Sequence, residues 1–394
     1  MQGLIGPLKE LAEFEELCKN KKKDVGMIRV CGCVNSQKSH MMYALGDGCK
    51  YKVIACSSET KAKQIYEEYR FLDSNTYLYP AKDFLFYQAD IRSKELVKQR
   101  MEGIQAVLSG EPVTVVTSLD GFMDHLAPKE SIAEKVLKVQ NDSVLKLDEM
   151  AEKLSVIGYD REVQVEGPGQ FAVRGGILDI YPLTEELPVR IELWGDEVDS
   201  IRTFDVESQR SIENLMDIVI YPAVEFPQNG EKGVSFLDYF PPEDTILFLD
   251  EPVRLVERGQ NIEDEFMEAQ KKRLESGYDL EEEEAKIFPV TEILKKINCY
   301  SSIGFYALGM KCKGLEVRES YEIQAKSVNP YNNSFEMLTQ DLKRLKRNGY
   351  RVILLSGSRT RAKRLAEDLR DYNLSSYYSE DLDREVKPGE IMTA

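Results

Sequence analysis

Residues 166–211 read EGPGQFAVRGGILDIYPLTEELPVRIELWGDEVDSIRTFDVESQRS, and this stretch predicts a compact antiparallel sheet. It opens on Gly167-Pro168-Gly169, a turn-forming triplet in which the glycines tolerate positive φ and the proline fixes its own. Residues 170–181 then predict one strand, in which Gly175 and Gly176 indicate a bulge or a close approach of another backbone.

The next predicted strand, Val189 to Trp194, alternates apolar and polar residues, and the chain returns as a strand from Val198 to Phe204. One face of the first of these strands carries Arg190, Glu192 and Trp194. Arginine and tryptophan are among the residues most enriched at binding hot spots. Alternatively, Trp194 covers the sheet edge and Arg190 is solvated, since single exposed apolar residues are common. The pattern alone leaves both interpretations open.

This stretch resembles the second domain of the excision-repair protein UvrB, and more closely the corresponding domain of bacterial transcription-repair coupling factors. A long ordered string of residues carries the match: Arg174-Gly175, Leu178 to Pro182, Leu187 to Arg190, Gly195 to Val198, Phe204-Asp205 and Ser208 to Arg210. A weaker resemblance to the amino-terminal part of coupling factors extends along the whole chain. In that family the domain docks the protein UvrA. The resemblance implies UvrA contacts at Arg174, Arg190 and Trp194, where the family more often has Phe at the last position.

The bulk composition is that of a soluble globular protein. At 394 residues, 42% hydrophobic and 31% charged, the chain is long enough for about two to four domains. It has no apolar run near the roughly 18–20 residues of a membrane span, and its amino terminus lacks a signal-peptide pattern. Seven scattered cysteines indicate free thiols in a reducing cytoplasm, and two histidines leave little for a zinc site. We therefore expect no metal and no membrane contact.

The net charge of −17 restricts the choice of partners. Non-specific binding to nucleic acid depends on clustered Lys and Arg that contact phosphates. The acidic balance therefore favours protein partners, or a DNA-binding part elsewhere in a longer protein.

A degenerate phosphate-binding loop is predicted near the amino terminus. Val25 to Cys31 predicts a buried strand, and the loop GCVNSQKS at residues 32–39 precedes an apolar helix. In the motif GxxxxGK[ST], Gly32, Lys38 and Ser39 match, whereas Gln37 replaces the second glycine. A side chain there should spoil the curled backbone that surrounds a phosphate. We interpret the loop as a relic of an ATP site, although Lys38 and Ser39 could still meet a phosphate and Mg²⁺.

A second part of that nucleotide site is predicted after the apolar strand TILFLDE, residues 245–251. In ATPases of this fold an Asp orients Mg²⁺ and a Glu polarises the attacking water, and Asp250 and Glu251 occupy that place. Pro252 follows, rather than the rest of a helicase motif. A buried strand that ends at the carboxyl edge of the sheet explains the pattern equally well.

Strands alternate with helices before and after the organising stretch, which predicts an α/β fold with a parallel sheet of the RecA-like, UvrB-like type. UvrB has a long aromatic hairpin that clamps DNA after its third strand. Here only residues 81–92, AKDFLFYQADIR, fill that interval, so we expect Phe84, Phe86 and Tyr87 to pack in the core. Clamping of DNA in the UvrB manner is not expected.

Four segments are predicted along the chain. Residues 1–131 and 219–328 form the degenerate P-loop domain, and residues 132–218 form an inserted α+β domain that docks UvrA. Residues 329–394 begin a further α/β domain that is cut short. Its predicted helices carry a local excess of basic residues: Lys343, Arg344, Lys346, Arg347, Arg359, Arg361, Lys363 and Arg364. We expect solvated helix faces there, with contact to a neighbouring domain, or weak, salt-sensitive contact to nucleic acid, as the alternatives.

The function predicted from these features is a non-catalytic, cofactor-free module that recruits UvrA. The resemblance implies that the full-length protein is an ATP-dependent DNA translocase. Its missing regions would bind RNA polymerase and DNA, and its motor would use ATP and Mg²⁺. Two alternatives remain at this point. One is a working ATPase fragment, which Gln37 and the missing second motor domain oppose. The other is UvrB itself, which the short interval at 81–92 and the degenerate loop oppose.

Overall fold

The computed structural model describes residues 2–21, 24–82, 94–227, 230–277, 287–307, 309 and 312–394. The chain divides into two compact units. One contains residues 1–23, 30–47 and 321–394, and the other contains residues 24–29 and 48–320. The predicted aromatic segment at 81–92 lies outside the described residues, apart from its first two.

Eighteen strands occur in the described part of the chain: β1 (Gly26–Cys31), β2 (Tyr51–Cys56), β3 (Thr76–Tyr79), β4 (Val113–Ser118), β5 (Leu137–Gln140), β6 (Asp160–Arg161), β7 (Gln170–Arg174), β8 (Ile177–Tyr181), β9 (Val189–Trp194), β10 (Glu197–Phe204), β11 (Ser211–Leu215), β12 (Asp217–Ile220), β13 (Thr245–Asp250), β14 (Ser301–Tyr306), β15 (Val317–Glu322), β16 (Val352–Leu354), β17 (Ser376–Tyr378) and β18 (Ile391–Thr393).

The α-helices of the same residues are α1 (Gln2–Ile5), α2 (Ala12–Asn20), α3 (Asn35–Leu45), α4 (Glu59–Leu72), α5 (Lys94–Leu108), α6 (Lys129–Glu134), α7 (Leu147–Val156), α8 (Pro252–Glu275), α9 (Val290–Ile297), α10 (Phe335–Arg347) and α11 (Arg359–Asp371). Helix α4 begins where the Ser58 side chain accepts a hydrogen bond from the backbone N–H of Lys61.

A seven-stranded sheet forms the scaffold, in the order β15-β1-β14-β13-β2-β4-β3. Its pairs from β14 to β3 are parallel. Strands covered on both faces are expected to be continuously apolar, and every residue of β4 and of β13 is buried. The predicted α/β fold with a parallel sheet is therefore confirmed.

The inserted stretch forms a six-stranded sheet in the order β11-β10-β9-β8-β7-β6. All its pairs are antiparallel except β6–β7. The predicted single strand at 170–181 is wrong, because β7 and β8 form a hairpin in which Arg174 pairs with Ile177. Gly175 and Gly176 make its two-residue turn, and Gly175 adopts a φ of +60° that favours glycine.

One face of this six-stranded sheet packs on α7. The core consists of alternate residues from the strands together with the buried face of the helix: Met150, Ala151, Leu154, Phe171, Leu178, Ile180, Val189, Ile191, Val198 and Ile201. The antiparallel pair β5–β12 closes the insertion, with Leu137 opposite Ile220. The other face of the sheet, which carries the even-numbered residues of β9, is therefore the one directed away from this core.

A buried ionic cluster lies where the chain returns to the scaffold after the insertion. Arg100 of α5 is fully buried, and its Nε donates to both oxygens of Glu225, at 2.8 and 2.9 Å. Its Nη2 donates to Asp124 at 2.6 Å, and Lys82 lies 3.0 Å from Asp124 and 3.1 Å from Glu225. Burial alone would raise the pKa of Glu225, but the charges of Arg100 and Lys82 lower it overall.

The carboxyl-terminal segment contains a three-stranded parallel sheet in the order β16-β18-β17. Leu342 of α10 and Leu369 of α11 pack in one core with Val352 and Ile391 of the sheet. Several of the predicted basic residues face acidic neighbours, since Arg359 and Lys363 both lie 3.7 Å from Glu380. This arrangement agrees with solvated, charge-balanced helix faces.

Candidate docking surface and degenerate nucleotide loop

The outer face of the six-stranded sheet carries the predicted docking residues. On β9 the alternation places Arg190, Glu192 and Trp194 on this face, opposite the buried Val189 and Ile191. Trp194 is 85% exposed, although tryptophan is a large apolar side chain. A tryptophan this exposed offers a large rigid apolar surface to a partner, and its contact with UvrA stays a prediction.

The two predicted arginines meet on one buried carboxylate. Asp179 of β8 is directly opposite Arg190 of β9 in the strand register and is only 1% exposed. Arg190 donates through Nε to Oδ1 at 2.6 Å and through Nη2 to Oδ2 at 2.9 Å, the two-pronged geometry that guanidinium groups favour. Arg174, at the end of β7, donates through Nη2 to the same Oδ2. The structure therefore brings Arg174 and Arg190 together.

Arg190 also fixes the turn that follows β10. Its Nη2 donates to the side-chain oxygen of Gln209 at 2.9 Å, and its guanidinium lies 4.5 Å from the ring centroid of the buried Phe204. The hydrogen bond to Asp179 raises the pKa of Arg190 above its usual value. The side chain is only 14% exposed. Arg190 is therefore largely covered rather than solvated, and a contact of this residue with UvrA stays a prediction.

Arg174 and Trp194 remain accessible. The Arg174 side chain is 44% exposed and gives one of its five N–H donors to Asp179. A further ion pair on this face joins Glu192 to Arg202 of β10. The face therefore presents the Arg174 guanidinium, which one ion pair fixes, and the exposed Trp194 indole. Arg190 lies on the same face but is largely covered.

The degenerate phosphate loop is shorter than the sequence predicts. Helix α3 begins at Asn35, so that Gln37, Lys38 and Ser39 are helical instead of belonging to a loop. The backbone N–H groups of Gln37 and Lys38 both donate to the carbonyl of Val34, at 3.0 and 3.1 Å. These amides are therefore not free to surround a phosphate.

The backbone geometry explains why residue 32 is a glycine. Its φ is +85°, and a Cβ at this position would come within 2.1 Å of the carbonyl oxygen of Ile323. The close approach of the two backbones requires glycine whether or not a nucleotide binds. Lys38 and Ser39 are each only 3% exposed, and the side-chain oxygen of Gln37 is buried without a hydrogen-bond partner.

Asp250 and Glu251 lie in the other compact unit. Asp250 ends β13 and is buried, and Glu251 adopts a φ of +57° immediately before α8. Both carboxylate oxygens of Glu251 accept the backbone N–H of Ala307, at 2.9 and 3.2 Å, just after β14. The carboxylate therefore ties two neighbouring strand ends together, which is a structural role.

We expect no tight binding of ATP or ADP and no ATP hydrolysis, because the loop amides are already hydrogen-bonded and the Glu251 carboxylate is already occupied. Calorimetric titration with Mg-ATP measures this, with Lys38→Ala as the matched variant. A micromolar dissociation constant that Lys38→Ala abolishes would contradict the prediction. Equal, negligible heats for the two proteins are the expected result.

A family comparison identifies the inserted domain. The family described as the UvrB interaction domain matches residues 137–226, which run from β5 past the end of β12. Residues 137–226 form a UvrB interaction domain. The prediction of such a domain from the residues between Arg174 and Arg210 is confirmed. The predicted bounds of the insertion, 132–218, stay a prediction.

The chain around the UvrB interaction domain is similar to transcription-repair-coupling factors. The protein of that name from Bacillus subtilis is 25% identical over 94% of this chain and 36% of its own length. Those from Staphylococcus epidermidis and Haemophilus influenzae are 38% and 31% identical over 39% and 40% of this chain. The chain thus spans about a third of the length of the Bacillus subtilis relative. The predicted resemblance to an amino-terminal coupling-factor module is confirmed.

One residue of the UvrB interaction domain escaped the sequence analysis. Asp179 entered it only as a letter in the matching string Leu178 to Pro182, although its contacts organise both arginines. The available signal was a carboxylate between Leu178 and Ile180 in an otherwise apolar strand. A buried charge of that kind requires a partner, and Arg190 is the nearest in register.

The described residues contain neither a membrane-spanning helix nor a metal-binding cluster. None of their helices combines the length and the apolar character that a bilayer crossing needs. Within the same ranges, His, Cys, Asp and Glu side chains form no group of three or more that could hold a metal ion.

Proposed function

We propose that this chain is a non-catalytic module that docks UvrA through the outer face of its UvrB interaction domain. The observation that carries the proposal is the exposed Trp194 on the same sheet face as Arg174, within a domain of that family. The face is directed away from the domain core, so a partner can cover it without any change of fold.

The chemistry of this face suits a protein partner with acidic groups beside an apolar recess. The Arg174 guanidinium keeps N–H donors for carboxylate or carbonyl oxygens, and the Trp194 indole offers a large rigid apolar surface. Arginine and tryptophan at the centre of an interface typically supply most of its binding free energy.

We further propose the roles of the longer protein by similarity. A coupling factor that contains this module would use a separate ATP-driven motor, with Mg²⁺, to move on DNA and would bind RNA polymerase elsewhere. The module would then recruit UvrA to polymerase stalled at damage. The buried Lys38 and the occupied Glu251 support the view that this part contributes no ATPase activity of its own.

Replacing either exposed docking residue should weaken UvrA binding without unfolding the domain. We expect Trp194→Ala and Arg174→Ala each to cost about 1–3 kcal/mol of binding free energy. Surface plasmon resonance with immobilised UvrA measures the change. Two variants in the same domain serve as controls: Val163→Ala removes another strongly exposed apolar side chain, and Lys153→Ala removes a cation on α7, behind the sheet. Both should bind like the parent protein.

The single tryptophan of the chain permits a direct test of contact. Fluorotryptophan incorporation gives one fluorine resonance, from Trp194, and unlabelled UvrA contributes none. A shift and broadening of that resonance on addition of UvrA supports the proposal. Unchanged affinity in both docking variants, together with an unchanged resonance, would show that UvrA does not bind this face.

A further inference from the structure

Asp179 is a buried charge on an otherwise accessible sheet face. Its strand neighbours on that face, Ile177 and Tyr181, retain partial exposure, whereas Asp179 is 1% exposed. Burying a carboxylate is costly unless cations and hydrogen bonds compensate. Here the compensation comes from both flanking strands, from Arg174 on β7 and from Arg190 on β9.

The two arginines are held to different degrees. Arg190 directs Nε and Nη2 to Asp179 and contacts the oxygens of Gln209 with Nη1 and Nη2, and it packs on Phe204. Its donors are thus largely used within the domain. Arg174 makes one hydrogen bond, from Nη2 to Asp179, and its side chain is 44% exposed. A free arginine samples many rotamers, and fixing it on binding costs free energy.

We propose that Asp179 is the positioning residue of the docking surface, which holds the Arg174 guanidinium in the orientation that the partner requires. Asp179 itself is covered and touches no partner. The ion pair fixes Arg174 before binding, so less side-chain entropy is lost in the complex. Arg190 locks Asp179 from the other side and supports the surface from within. This inference rests on the proposed docking of UvrA.

Asp179→Asn tests the proposal, since the amide keeps the shape of the side chain and removes its charge. We expect UvrA affinity to fall about ten-fold, the effect of immobilising roughly one arginine side chain on binding. In an Arg174→Ala background the same substitution should weaken binding by less than about three-fold, because the residue that it positions is already gone. A loss caused only by a damaged domain would be equally large in both backgrounds.

Two controls accompany this double-mutant cycle of Asp179→Asn and Arg174→Ala. Asp148→Asn makes the same chemical change at an exposed position on α7, behind the sheet, and should bind like the parent. Hydrogen–deuterium exchange at β8 shows whether Asp179→Asn keeps its fold. If protection there is lost, Arg174→Lys tests the same contact from its other end. Lysine keeps the charge but not the planar donor geometry, so about ten-fold weaker binding is again expected.

The outcomes distinguish the positioning role of Asp179 from the proposed docking of UvrA on which it rests. If Trp194→Ala weakens binding but neither Asp179→Asn nor Arg174→Lys does, docking stands and Asp179 has no positioning role. A full ten-fold further loss from Asp179→Asn in the Arg174→Ala background also overturns it. If the parent chain fails to bind UvrA, the docking proposal fails, and this inference fails with it.

Discussion

Arg100→Met should destabilise the scaffold by about 3–5 kcal/mol, the usual cost of removing one partner from a buried ion pair. Methionine fills a similar volume, but Glu225 and Asp124 then lose their fully buried cation and keep only the partly exposed Lys82. Hydrogen–deuterium exchange at β4, whose residues are all buried, measures the local free energy of unfolding.

Lys98→Met is the matched control, two residues before Arg100 on α5. Lys98 and Glu102 form a half-buried pair at 3.9 Å, and its loss should cost no more than about 1 kcal/mol. A cost for Arg100→Met in that same range would show that the buried cluster contributes no more than a surface pair.

The pH dependence of this difference follows from the lowered pKa of Glu225. A carboxyl whose folded pKa is lowered stabilises the protein above its unfolded pKa, about 4.3, and the contribution is lost as pH falls through the folded pKa. Without Arg100, only Lys82 opposes the effect of burial, so the folded pKa of Glu225 is lowered less than in the parent protein. Acidification therefore costs the variant less stability than it costs the parent. The difference between the two proteins should therefore shrink as the solution is acidified below about pH 5.

Arg190→Ala should destabilise the UvrB interaction domain by about 2–4 kcal/mol, somewhat less than a fully orphaned buried charge because Arg174 remains on Asp179. The substitution also uncovers Phe204 and frees the turn at Gln209. Weaker UvrA binding by this variant would thus report lost structure together with any lost contact. Limited proteolysis within residues 137–226 over a urea series measures the effect.

Arg202→Ala is its control, since Arg202 is directly opposite Arg190 on β10 and pairs with the partly exposed Glu192. Its loss should cost no more than about 1 kcal/mol. Equal, small effects of the two substitutions would show that Arg190 is not a structural support.

The sequence predicts a side chain's face better than it predicts the partners of that side chain. Alternation along Val189 to Trp194 was sufficient to place Arg190 and Trp194 on one face, because the period of a strand is fixed by its backbone. It could not show that the Arg190 guanidinium is held in an ion pair, since that depends on Asp179 of a neighbouring strand. The Arg100–Glu225 contact spans 125 positions, and no local pattern records it.

Ambiguous glycines and a familiar motif account for the wrong predictions. Gly175 and Gly176 are compatible with a bulge or with a hairpin turn, and only the pairing of Arg174 with Ile177 decides between them. The partial phosphate-loop motif favoured a loop through Ser39, whereas the helix begins at Asn35. Val34, Asn35 and Ser36 are poor helix formers, so helix propensity does not reveal this helix start either.

The hydrogen-bonded pair β5–β12 holds the two ends of the inserted segment together. Leu137 and Ile220 face each other, so the polypeptide leaves the scaffold and re-enters it at the same spot. A scaffold interrupted in this way needs only one narrow gap in its surface, whatever the length of the excursion, because closing a longer loop adds little entropic cost. The inserted segment can therefore change in length without widening the gap that it leaves in the scaffold.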